Sequence, residues 1–180
     1  MSLNKTPRGS RIHIAIFGKR NVGKSSLINA LTSQSISLVS EQAGTTTDPV
    51  FQSLDLLPLG PVVIIDTAGI DDEGSLGKLR VEKTYEVINK TDIGIIVFEA
   101  NQTDFTYEKN IIKEMKKRTK PYVLVASKTD IYQPTNFEDV FPKEKVILVS
   151  SMKKTNIELL KETIGKTLKV QDEKVQVVWD

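Results

Sequence analysis

IHIAIFGKRNVGKS, residues 12–25, sets an apolar run, Ile12 to Phe17, directly against Gly18-Lys19-Arg20-Asn21-Val22-Gly23-Lys24-Ser25. The octet fits G-x-x-x-x-G-K-[ST], and Leu27, Ile28 and Leu31 follow at helical spacing. Strand, glycine-bearing turn and helix, in that order, are the setting in which such a loop holds phosphate. Several negative charges crowded into a small volume need backbone amides at close range. Glycines permit that approach, and a helix N-terminus adds favourable polarity. The cradle read here runs from Asn21, Val22 and Gly23 through Lys24, Ser25 and Ser26. Lys24 reaches β- and γ-phosphates, and the Ser25 hydroxyl is offered to a bridging Mg²⁺ ion.

Outward from this loop, Val62 to Ile65, Ile93 to Phe98, Tyr122 to Ala126 and Val146 to Val149 are short, nearly continuous apolar runs. Such runs predict strands buried on both faces, as in parallel sheets. Phe51 to Leu57 mixes polar and apolar residues and reaches the next run through Pro58 to Pro61, which predicts an antiparallel edge hairpin. Helical spacing joins Ile111, Ile112 and Met115, and also Ile157, Leu160, Ile164 and Leu168; Thr155 with Glu158 suggests a capping box. The expected fold is α/β: a Ras-like P-loop nucleoside triphosphatase with a doubly wound, mostly parallel six-stranded sheet and one antiparallel edge strand. Residues 1–10 read as a flexible arm, 11–170 as the domain, and 171–180, with Val175, Val177 and Val178, as an apolar alternation leading toward a further domain.

The 180 residues suit one domain. With 25 basic against 23 acidic residues and a net charge of +2, the composition gives no argument for nucleic acid or a membrane surface. The absence of cysteine excludes disulfides and any cysteine-ligated iron–sulfur cluster within this chain. No apolar run could span a bilayer and the start lacks a signal core, so a cytoplasmic protein is expected.

Two further motifs lie beyond the first. Asp66-Thr67-Ala68-Gly69 follows the run ending at Ile65. A carboxylate at a strand end faces the ligand crevice of such sheets, where Asp66 can hold Mg²⁺ and the Gly69 amide can contact a γ-phosphate. Ser127-Lys128-Thr129-Asp130 follows the run ending at Ala126. Asp130 can accept the N1–H and N2–H of guanine, whereas adenine would leave it unpaired, a difference of about 10⁴-fold in discrimination. The Lys128 stem can cover the base. Asn is the familiar first residue of this motif. Ser127 lacks its amide, which predicts a looser hold on the base and on the phosphate loop. Backbone amides of Ser150-Ser151-Met152 can contact the guanine oxygen. In the polar stretch 33–48, one threonine of Gly44-Thr45-Thr46-Thr47-Asp48 can complete the Mg²⁺ shell; Thr46 is chosen, with Thr45 and Thr47 open.

Hydrolysis of a bound triphosphate needs an oriented water and positive charge near the β–γ bridge. Ile70 follows Gly69 and cannot orient water. The catalytic set read here is Lys24, Thr46, Gly69 and Asn21, with the Asn21 side chain placed to bind K⁺. Asp71, Asp72 and Glu73 are water-orienting candidates that also read as a solvated acidic loop.

Asn21, Gly44 to Asp48, and Asp66 to Gly69 followed by Ile70 resemble the TrmE–Era class of GTPases. Within it, Arg8 to Ile14, Gly44 to Val50 and Asp66 to Thr84 are similar to the FeFe-hydrogenase maturation GTPase family HydF. The resemblance implies GTP and GDP as ligands, Mg²⁺, K⁺ activation and homodimer pairing of G domains across the nucleotide face. It also implies a larger parent that works with hydrogenase and other maturation proteins in metallocluster assembly or delivery. The alternative is the G domain of a tRNA-modification or ribosome-assembly GTPase. An enzyme with a conformational cycle and a switch with negligible turnover both remain open. His13 reads as a structural histidine and Lys113 to Lys120 as a solvated face.

Overall fold

A computed structural model describes residues 11–32, 49–67 and 77–179; for 77–80 and 173–179 only the backbone is described. The elements are β1 (Ile12–Phe17), α1 (Lys24–Thr32), β2 (Val50–Leu56), β3 (Gly60–Asp66), α2 (Gly77–Lys90), β4 (Ile93–Glu99), α3 (Thr106–Lys117), β5 (Tyr122–Ser127), α4 (Phe137–Val140), β6 (Val146–Leu148) and α5 (Ile157–Trp179). They build a six-stranded sheet in the order β2-β3-β1-β4-β5-β6. All neighbours are parallel except β2 and β3, which pair antiparallel with Val50 opposite Asp66 and Leu56 opposite Gly60. The expected sheet and its edge hairpin are therefore present.

The period-2 alternation of strand side chains explains why both faces are apolar. Ile14, Ile16, Val62, Ile64, Ile95, Val97, Val123 and Val125 point to the side covered by α1 and α5, where Leu27, Leu31, Leu160 and Ile164 meet them. Ala15, Phe17, Ile65, Ile96, Phe98 and Leu124 face α2 and α3, where Val87, Ile88, Ile112 and Met115 close the second core. Phe98, Phe105 and Phe141 add ring contacts there, with centroids 5.1 Å apart for Phe98–Phe105 and 5.3 Å for Phe105–Phe141.

Two expectations are corrected. The first turn of α5 is not entered through a Thr155–Glu158 box. Asn156, at φ 60°, precedes Ile157 and its side-chain Nδ2 donates to the Leu148 carbonyl at 2.8 Å. Thr155 instead pairs its backbone with Ser150. The apolar alternation read at the end of the chain is helical backbone, because α5 continues through Trp179. The 1–10 arm lies outside the described residues.

Where β1 meets β4, a buried hydroxyl replaces a ladder bond. Thr91 Oγ1 accepts the Ala15 amide at 3.0 Å and faces the Ile93 and His13 carbonyls at 2.8 and 3.0 Å. The His13 amide donates to the Asp92 carboxylate at 2.7 Å and its ring Nδ1 lies 2.8 Å from the Arg11 carbonyl, a structural role. Thr91→Val should therefore cost about 1–3 kcal/mol, since it leaves the buried Ala15 amide without an acceptor; urea unfolding of both proteins reads this.

Candidate functional site

The C-terminal ends of β1, β3, β4 and β5 converge, and every sequence-selected residue among those described lies on the segments that leave them or β6. The site sits beside the neighbouring strands β1 and β3, whose outgoing helices α1 and α2 cover opposite faces of the sheet, the crevice in which open α/β sheets bind ligands.

The loop after β1 is shaped by two steric demands. A Cβ on Gly18 would stand 2.7 Å from the Val97 carbonyl oxygen and 2.8 Å from a Val22 methyl, so only glycine fits. Asn21 and Gly23 both adopt positive φ, 65° and 98°. Asn tolerates that region better than most residues. Left-handed turns of this kind gather successive amides into an anion-binding concavity. Lys24 opens α1 and is buried; its ammonium donates to the Gly18 carbonyl and, at 3.4 Å, to that of Lys19. Ser25 and Ser26 are exposed in the first turn of α1, where amides lack intrahelical acceptors.

Asp66 ends β3 opposite Ile16 of β1. The next residue, Thr67, is buried and its hydroxyl donates to the Ile16 carbonyl at 2.6 Å, tying this turn to the strand that feeds the phosphate loop. Sequence reasoning quoted Thr67 without giving it a role. Gly69, Ile70, Asp71, Asp72, Glu73 and Thr46 with its neighbours lie outside the described residues.

On the other side of the loop, Ser127 is buried, with Oγ 2.6 Å from the Val22 carbonyl and 3.0 Å from that of Phe98. The expected loss of contact with the phosphate loop is thus corrected: the hydroxyl restores it. Lys128, at φ 59°, donates from Nζ to the Asn21 carbonyl at 2.6 Å and to the Glu99 carboxylate. Its Cε lies 3.9 Å from where a Cβ on Gly23 would stand, so the stem runs over the loop. Glu99 was not foreseen; only its place at the end of β4 could have signalled it. Asp130 is half-buried and accepts the Ser150 hydroxyl at 2.9 Å, while Ser150 Oγ accepts the Lys153 amide at 3.1 Å. Ser150 is buried, Ser151 half-buried and Met152 largely exposed.

The donor set fits a nucleotide tail with a hard cation. Amides and one ammonium could serve an anion, and Ser25 and Asp66 could offer oxygen to the cation. No group of three or more His, Cys, Asp or Glu side chains that could cage a metal occurs among the described residues. Mg²⁺ binds through one or two protein oxygens plus phosphate and water.

Fold and site together define a P-loop nucleotide-binding domain. A family model described as "50S ribosome-binding GTPase" matches residues 13–128, and the chain belongs to that family. It is therefore a GTP-binding G domain of the TrmE–Era class. It is 36% identical over 156 residues to the tRNA modification GTPase MnmE of Aquifex aeolicus, covering 86% of this chain and 34% of that protein. The same enzyme of Ligilactobacillus salivarius is 32% identical over 155 residues, covering 84% and 33%. The chain thus spans about a third of the length of these relatives. Among solved structures, Era of Aquifex aeolicus bound to GDP.AlF4- aligns with a TM-score of 0.68 at 27% identity, covering 86% of this chain and 56% of that one. Era in complex with MgGDPNP and nucleotides 1506–1542 of 16S ribosomal RNA aligns at 0.67, with 27% identity and the same coverage. These relatives favour the tRNA-modification or ribosome-directed alternative; the hydrogenase-maturation resemblance gains no support from them. Among the described residues no helix is long and apolar enough to cross a membrane.

The buried Ser127 hydroxyl is the hydrogen-bond donor within reach of the Val22 and Phe98 carbonyls, so Ser127→Ala should destabilise the chain by about 1–3 kcal/mol, measured by urea unfolding.

Proposed function

We propose that this chain is the GTP-hydrolysing switch module of a larger protein of the TrmE–Era class, whose parent acts on RNA. The observation that carries the nucleotide chemistry is the buried Lys24 ammonium, held by carbonyls of a loop with two left-handed residues. An ammonium so held is pre-organised. It exchanges carbonyl oxygens for β- and γ-phosphate oxygens of greater charge, and such charge-assisted bonds are about twice as strong as neutral ones. Ser25 and Asp66 would hold Mg²⁺, which neutralises charge developing on the phosphates. Thr46 and the Gly69 amide are assigned to the γ-phosphate side, where loss of that phosphate releases them.

Base choice falls to Asp130. Each carboxylate oxygen has two acceptor sites. The Ser150 bond to Oδ1 therefore orients the carboxylate without preventing it from taking the two guanine hydrogens. The Lys128 stem covers the base, and the amides of Ser151 and Met152 are assigned to the guanine oxygen; that of Ser150 donates to the Thr155 carbonyl instead. Asn21 is assigned a K⁺ ion, whose charge would stand where other GTPases bring an arginine, and G domains would pair across this face. The RNA-directed reading is supported by the relatives, which include tRNA modification GTPases and an Era bound to nucleotides of 16S ribosomal RNA. The narrower hydrogenase-maturation reading rests on Gly44 to Val50 and Asp66 to Thr84, much of which lies outside the described residues.

Calorimetry with magnesium present should give binding heat with GDP and none with ADP, and Lys24→Ala should weaken GDP by at least about tenfold. No heat with GDP, or a parent-like Lys24→Ala, would overturn the reading. Phosphate release should run faster in KCl than in NaCl at equal ionic strength; equal rates would remove K⁺ from the account.

A further inference from the structure

The segment between β4 and α3 joins the phosphate loop to a buried carboxyl that the account above leaves unused. Glu108, in the first turn of α3, has no solvent exposure. Its Oε1 accepts the Gln102 side-chain amide at 2.6 Å and lies 3.9 Å from the Lys19 ammonium. Its Oε2 is buried without a hydrogen-bond partner. Lys19 Nζ donates to the Asp104 carbonyl at 3.1 Å, and the Gln102 amide donates to that same carbonyl at 2.8 Å. Ammonium, carbonyl, amide and carboxyl thus form a closed set, reached from the loop by one side chain.

The main chain of Lys19 lies inside the phosphate loop. Its carbonyl accepts the Lys24 ammonium and the Val22 amide, both at 3.4 Å. Bonds of that length are weak, so within the loop the Lys19 carbonyl is held loosely, and anchors outside it bear on its position. On the far side the anchors are Ser127 and Lys128. On the near side one anchor is the Lys19 side chain, held at α3. A buried carboxyl with an unserved oxygen is costly. Desolvation pushes its pKa up, against the pull of Gln102 and Lys19. An apolar side chain of similar volume would commonly serve packing as well or better.

We infer that Glu108 is a positioning residue for the phosphate loop, acting through Lys19 to hold the loop in its anion-binding shape; this rests on the nucleotide reading above. Pre-organisation of a binding loop appears as affinity, because less ordering remains to be done on binding.

The test uses the full chain with Glu108→Gln, Glu108→Met, Lys19→Met and the Lys19→Met/Glu108→Gln pair. Affinity for Mg-GDP is read by calorimetry and stability by thermal unfolding. Each single variant should bind about five- to tenfold more weakly, with the Glu108→Met midpoint equal to or above that of the parent. The pair should be no weaker than Lys19→Met alone, since both changes break one connection. Parent-like affinity in the Glu108 variants, an affinity loss matched by a fall in midpoint, or losses that multiply in the pair would each overturn the inference. Should a Glu108 variant fail to fold, Lys19→Met decides: a five- to tenfold loss supports the inference and parent-like affinity refutes it. If the parent itself binds no guanine nucleotide, both readings fall; if it binds and the variants match it, only this one does.

Discussion

Two hydrogen bonds set the geometry on which the rest of this molecule depends. The Val22 carbonyl accepts the Ser127 hydroxyl and the Asn21 carbonyl accepts the Lys128 ammonium, each at 2.6 Å. They join segments 105 and 107 residues apart in the chain. One segment is built for phosphate and the other for a base, so their separation must match a nucleotide. The sheet brings them near each other by placing β1 and β5 on either side of β4. β4 then contributes at its own end, through the Phe98 carbonyl and the Glu99 carboxylate. The cost of two non-glycine residues at positive φ, Asn21 and Lys128, is borne where these bonds fix both backbones.

Sequence patterning reached the sheet because its strands have little freedom. Buried on both faces, β1, β3, β4 and β5 must be apolar almost throughout, and a run such as Ile93 to Phe98 has no other economical place. The hairpin was readable from Pro58 to Pro61. The helix α2 was not found by spacing. Its side chains from Val81 onward are mostly exposed or half-buried, with Val87 and Ile88 the buried ones, so its apolar stripe is short. The four-residue α4 falls below the length at which a period can be counted. At the start of α5, Thr155 and Glu158 had the right spacing but lost to Asn156, whose αL backbone and bond to Leu148 come from tertiary contact.

Within the site, legibility followed locality. Gly18 to Ser25, Asp66 and Asp130 are recognisable because their chemistry is carried by adjacent residues on one turn. Thr67 with Ile16, Lys128 with Glu99 and Lys19 with Asp104 are bonds across 51, 29 and 85 residues, and no spacing rule reaches them. Ser127 marks the boundary between the two cases. Its identity suggested a missing contact, yet burial beside Val22 lets a shorter side chain make the connection to the phosphate loop. The motifs specify a nucleotide chemistry common to the class and carry nothing that singles out a partner.

The Ser127 hydroxyl carries a single hydrogen and stands within reach of two carbonyls, one on the sheet and one on the loop. At any instant it can satisfy only one of them, and the other then faces an oxygen lone pair at close range. The direction of that one O–H thus decides whether the loop or the sheet is held, and the shorter separation, 2.6 Å against 3.0 Å, favours the loop.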